Sequence, residues 1–319
     1  MSNKLLPTIA IIISMIIWSI SGIAIKHALV SLPPLTMIIF RFTPAVLLML
    51  IVGLVRQGHS LFALQLPDKK DLPLFVFAGV CQPFLYYLLE TFTYRALNSP
   101  TIAEALLSTS PLLSPIFAAI LLRERVTRNN IWGILISTLG MFALLFNFSH
   151  PSSLDSQLSI GSYWGIPLAF AAVTAAVTDS VIMRRLPAKY NPLTIIFYAQ
   201  LVSLCLFYPL WFFREGPEAV TAIDWSQLAD IHSPLAISIF SVGYLTVFAS
   251  VIAFILFCYA LRQIGVTEAN AFNNIRPAFT ALWMLLFFGE QLPLVKWIGI
   301  GLIIFGLFVC QKEVKHAKN

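Results

Sequence analysis

The chain is 319 residues long, 59% hydrophobic and only 11% charged. Soluble proteins run nearer about 45–50% apolar and about 25% charged, so a sizeable soluble domain is excluded. The net charge of +6 would suit an acidic partner such as nucleic acid, but the basic residues fall between apolar runs, where they orient a chain in a bilayer.

A hydrocarbon core about 30 Å thick needs about 20 apolar residues at a rise of about 1.5 Å each. Such runs occur at 7–26, 34–55, 72–94, 100–122, 130–147, 162–184, 192–213, 235–260, 267–288 and 294–311. The first follows Lys4 and is too long for the apolar core of a signal peptide, so it reads as a retained membrane helix. Polar or turn-rich breaks separate the runs, among them Leu97-Asn98-Ser99-Pro100 and the stretch from Arg214 to Ser233. The expectation is an all-α membrane protein with ten transmembrane helices.

Orientation follows from the basic residues. With the N-terminus inside, 14 Lys and Arg fall in inner segments and 4 (Lys26, Arg95, Arg214 and Lys296) in outer ones, leaving Arg41 and Arg276 within the membrane. This bias places both termini in the cytoplasm. Cys81, Cys205, Cys258 and Cys310 all lie inside apolar runs with no CxxC or Cys/His cluster, and read as packing residues. The five histidines show no ligand spacing, so no metal or cofactor is expected.

The two halves resemble each other. Pro34-Leu35-Thr36-Met37-Ile38 recurs as Pro192-Leu193-Thr194-Ile195-Ile196, each opening a helix. Further on, an offset of 166 pairs Ala103 with Ala269, Pro111 with Pro277 and Glu124 with Glu290, and also Gly133 with Gly299 and Gly140 with Gly306. The predicted units are a five-helix repeat at 1–148, an external linker at 149–161, a second repeat at 162–312 and a tail at 313–319. Five is an odd number, so the second unit enters from the opposite side. The repeats are then inverted, the arrangement that underlies alternating access.

Trp18-Ser19 in helix one, Arg41-Phe42 in helix two, and Ala103, Leu106 and Pro111 in helix four carry a resemblance to a known family. Glu124, Gly133 and Gly140 follow, and Ala269, Phe272, Pro277, Glu290, Gly299 and Gly306 repeat the pattern. With these motifs the chain resembles the EamA family of the drug/metabolite transporter superfamily over essentially its whole length. That resemblance implies a ten-helix inverted-repeat fold, a central cavity between the halves, and export or exchange of amino acids and related metabolites.

Charged side chains inside hydrocarbon cost about 2.5–3.5 kcal/mol on insertion scales, so each needs a reason. Arg276, in helix nine, is assigned to a substrate carboxylate, which its planar fork matches; an internal ion pair is the competing role. Arg41 is assigned a structural ion pair. Glu90, Glu104 and Asp179 are the groups suited to a coupling proton, or else the partners of the two arginines. Glu104 ranks first among them because its repeat counterpart is Asn270, also polar. Glu104, Ser108 and Pro111 share helical spacing, as do Asn270, Asn273, Asn274 and Pro277. Proline frees a backbone carbonyl one turn earlier, and symmetry-related breaks in membrane helices point at a binding site. Trp18, Tyr86 and Tyr244 are expected to line its walls. Gly133, Gly140, Gly299 and Gly306 are assigned to close packing of helices five and ten.

The expected function is secondary transport of a small polar metabolite, an amino acid or related zwitterion, across the cell (inner) membrane. The alternatives are an organic-anion or nucleotide-type exchanger of the same fold, or a non-transporting receptor or scaffold. An enzyme is not expected, since no nucleophile–base pair is present. The partners expected are a small-molecule substrate and the lipid bilayer, without nucleic acid; monomer and homodimer both stay open.

Overall fold

In lipid each backbone amide must be paired within its own segment, and long apolar runs therefore fold as helices. The computed structural model describes residues 5–55, 63–97, 100–122, 126–145, 164–186, 189–264, 266–288 and 293–311. Among these there is no strand. The repeat-paired Glu124 and Glu290, the linker at 149–161 and the tail at 313–319 lie outside the described residues.

The first helices are α1 (Leu5–Ser31), α2 (Pro34–Val55), α3 (Leu72–Ala96), α4 (Pro100–Leu107), α5 (Ser110–Leu122) and α6 (Arg128–Leu145). They are followed by α7 (Gly165–Arg185), α8 (Pro192–Arg214), α9 (Pro234–Gln263), α10 (Val266–Ala271), α11 (Arg276–Phe288) and α12 (Leu294–Gln311). Six of the described helices are long and apolar enough to cross a membrane, namely α1, α2, α3, the Gly165–Ile182 stretch of α7, α8 and α9. Leu54, Phe213, Phe240, Phe287 and Phe308 are exposed, as suits contact with lipid rather than water.

Helix starts follow local chemistry. α2, α4, α8 and α9 each begin on proline, whose fixed φ and missing N–H suit the first helical position. Asn191 caps α8 by accepting from the Thr194 amide at 2.8 Å, and Ser233 caps α9 by accepting from Ala236 at 3.1 Å.

Interruptions come in matched pairs. α3 widens into a π-turn at Val80–Leu85, where Gln82 leaves helical geometry (φ −148°, ψ 119°) and the Gln82–Pro83 peptide is cis. α9 widens likewise at Leu245–Ile252, which contains the positions reached by adding 166 to the first. Helix four of the sequence reading is parted at Ser108–Thr109 into α4 and α5, and helix nine by a 3-10 turn at Phe272–Ile275. Both partings come just before the paired prolines. The widened turns escape sequence reading, because a π-turn needs no residue type that a regular helix lacks.

Repeat mates run against each other. Gly133 of α6 lies on Gly306 and Cys310 of α12, and Gly140 lies on Gly299 and Ile303, so the two helices are antiparallel. A Cβ at Gly133 would sit 2.5 Å from the Cys310 nitrogen, a separation that only glycine permits. α2 and α8 are also antiparallel. Early Thr36 accepts from late Trp211 at 3.0 Å, while late Gly53 packs beside early Leu193.

Candidate functional site

The interruptions surround one cavity. Its walls come from α1, α2, α3, α7, α8 and α9, closed by residues at the α4–α5 and α10–α11 breaks. It offers about 50 Å³ to the centres of water-sized molecules, several times the roughly 10–15 Å³ that one water needs.

Two arginine clusters stand in the wall. Arg276, 6% exposed, opens α11; its Nε lies 2.8 Å from Glu104 Oε1, an ion pair by distance but off the N–H axis. Glu104 Oε2 accepts from the Tyr94 hydroxyl at 2.5 Å. The Arg276 guanidinium carbon stands 5.8 Å from the Trp18 ring, within cation–π range. Arg41, 1% exposed, has Nη1 at 3.9 Å from Glu90 Oε2 and donates from Nε to Ser250 Oγ at 2.8 Å. Its guanidinium stacks 4.2 Å from the Tyr87 ring centre, and Tyr86 donates to Glu90 Oε1 at 2.9 Å.

The widened turn of α9 feeds this network. A π-turn spoils the regular i to i−4 pairing, and carbonyls there need other donors. Trp18 Nε1 donates to Ala249 O at 3.1 Å and Gln200 Nε2 to Ser250 O at 2.6 Å, and just past the turn Ser14 Oγ donates to Ala253 O at 3.0 Å. Trp18 is thereby fixed at the cavity by a bond from α1 to α9.

Of the residues singled out in the sequence, Arg276, Asn270, Trp18, Tyr86, Glu90, Asp179 and Arg41 line the cavity. Glu104 stands behind Arg276 as its counter-ion. Ser108 is buried at the α4 break, and Pro111 and Pro277 are buried at the second positions of α5 and α11. Asn274 turns away and donates to Ser137 of α6 at 2.5 Å. Tyr244 also lies off the cavity, stacked on Phe248 and donating to Ile17 O at 2.7 Å. Asn273, Gln82 and Ser110 also line the wall, the last two without a place in the sequence pattern. For Gln82 the signal was available in its glutamine-proline step inside an apolar run. Among the described residues no group of His, Cys, Asp and Glu has a metal-binding arrangement.

A buried chamber of mixed charge, enclosed by interrupted helices in an apolar chain, defines a membrane carrier. The chain belongs to the EamA-like transporter family, whose model matches residues 5–146 and again 163–310. It is a membrane transporter of the drug/metabolite type. An uncharacterized transporter of Archaeoglobus fulgidus is 23% identical over 96% of this chain and 98% of its own. The pseudopaline exporter CntI of Pseudomonas aeruginosa is 26% identical over 93% of each chain. The uncharacterized inner membrane transporter YedA of Escherichia coli is 26% identical over 96% of this chain and 90% of its own. A solved crystal structure superposes with a TM-score of 0.74 at 19% identity, covering 97% of this chain and 98% of that one, and shares the fold.

Proposed function

We propose that this transporter moves a small zwitterion of amino-acid type across the cytoplasmic membrane by alternating access, in export or exchange. The chain would cross ten times as two inverted five-helix repeats with both ends inside. The antiparallel packing of α2 on α8 and of α6 on α12 supports the inversion, and the 14-to-4 distribution of basic residues supports the orientation. Kinship to an exporter of pseudopaline fits outward movement of a metabolite.

One observation carries the substrate class. The cavity wall holds charges of both signs, Arg41 and Arg276 with Glu90 and Asp179. A site for a phosphate ester would concentrate cations, whereas a zwitterion needs both. In this reading Arg276 meets the carboxylate, Asn270 adds an amide and Trp18 and Tyr86 flank the cargo.

A thermal-shift screen of metabolites on the purified chain identifies the cargo, because a ligand selective for the folded state raises its stability. Counterflow of that cargo in proteoliposomes is then measured. A charge-assisted hydrogen bond is worth about 1.5–3 kcal/mol, so Arg276→Ala should weaken half-saturation roughly tenfold or more. The double change Arg276→Gln with Glu104→Gln avoids leaving Glu104 buried alone and should show the same loss. Unaltered counterflow in the folded double variant would remove Arg276 from the site.

A further inference from the structure

The three carboxylates near the cavity are not equivalent. Glu104 and Glu90 each stand beside an arginine. Asp179, in the inner part of α7, is 3% exposed and lines the cavity, yet its Oδ1 has no hydrogen-bond partner and it makes no ion pair among the described residues. The groups around it are neutral or already paired. Cys81 on α3 and Cys258 on α9 lie near it, and Gln82 on α3, Ser110 at the start of α5, and Asn270 and Asn273 at the α10 break share its cavity wall. Tyr86 on α3 is bound to Glu90, while Arg41 on α2, Arg276 on α11 and Glu104 on α4 are held in the pairs already described. Arg262, late in α9, donates to the Tyr190 carbonyl, and Glu268 lies in the first turn of α10; neither lines the cavity.

A buried carboxylate with no cation beside it is costly, and a proton or a cationic ligand each removes that cost. Both cannot occupy it together. We infer that Asp179 is the cation subsite of the chamber, holding the ammonium group of the cargo and, when the chamber lacks cargo, a proton. As an ammonium group enters, the carboxyl O–H gives its proton to cavity water and the carboxylate receives the charged N–H groups. Phe254 and Phe257 also line the wall, and aromatic rings favour an organic cation over a hydrated metal ion. The inference rests on the transport reading for its place in a cycle, since shared occupancy would couple cargo movement one way to proton movement the other.

The test uses the full chain in lipid nanodiscs, with 2-phenylethylamine as the ammonium probe and 3-phenylpropionate, which lacks the amine, as control. Infrared difference spectra of the cargo-free chain between neutral and alkaline pH should show a protonated-carboxyl stretch that vanishes in Asp179→Asn and moves in Asp179→Glu, which keeps the chemistry if Asn prevents folding. Saturating 2-phenylethylamine should abolish that stretch in the wild type and release one proton per chain, and 3-phenylpropionate should do neither. A carboxyl stretch indifferent to both Asp179 variants, or one that persists under the amine, overturns the inference. Counterflow of a zwitterion at wild-type rate by Asp179→Asn would also sink it while leaving transport intact. Failure of all counterflow with the Asp179 titration preserved would instead sink the transport reading and leave the subsite standing.

Discussion

At the scale of single residues, the termini of α2 and α8 show how side chains of one half serve the other. Asn191 caps its own helix, but the matching position before α2 is Pro33, which has no side-chain acceptor. Glu215, at the end of α8, fills the gap. Its carboxylate accepts from the Leu35 amide at 2.9 Å and from the Thr36 amide and hydroxyl at 2.7 and 2.8 Å. Negative charge at a helix N-terminus is favourable, and loss of a cap costs about 0.5–2 kcal/mol. Glu215→Ala should therefore lower the stability of the purified protein by about that amount, with Glu218→Ala, on the exposed turn nearby, as the neutral control. At the other end of α8, the Tyr190 hydroxyl and then Lys189 hold the half-buried Asp71 carboxyl below the usual carboxylate range, and Asp68 and Asp71 hold Lys189 above the usual lysine range. A lowered carboxyl value stabilises fully at pH above the unfolded carboxylate range, and that contribution is lost as pH falls on through the lower folded value. The thermal-stability difference between wild type and Asp71→Asn should accordingly be constant near neutrality and disappear in acid; a difference that grows in acid would refute the clasp. Arg276, Glu104 and Asp179 were legible in the sequence because a charge in hydrocarbon is costly. Tyr244, an aromatic whose direction depends on helix rotation, was not, and lies off the cavity.

At the scale of elements, α6 and α12 meet backbone to backbone. A Cβ at Gly306 would come 2.5 Å from the Ser137 nitrogen and one at Gly140 2.5 Å from the Gly299 carbonyl, whereas a Cβ at Gly301 or Gly243 would meet nothing within 4 Å. Overpacking a tight interface costs about 1–3 kcal/mol, so Gly133→Ala and Gly306→Ala should each destabilise in that range and Gly301→Ala should not. Equal thermal stability of all three variants would contradict this packing. The glycine repeat was readable because small residues at helical spacing in apolar sequence mark close contact. The breaks beside Pro111 and Pro277 were readable from the prolines. The widened turn of α9 was not, although it fixes Trp18, because its carbonyls are satisfied by donors from helices far along the chain.

At the scale of the whole molecule, a chamber lined by both units of related sequence closes around charges of both signs. Two packings of similar energy would expose it first to one side and then to the other. Ser110, 4% exposed, lies in the cavity wall and carries no charge, which makes it a reporter that leaves the ion pairs intact. The decisive measurement replaces Cys81, Cys205, Cys258 and Cys310, introduces Ser110→Cys, and applies membrane-impermeant thiol reagents to each face of oriented vesicles. Labelling from both faces, suppressed from both by the cargo, is the result expected. Labelling confined to one face would contradict a carrier that alternates.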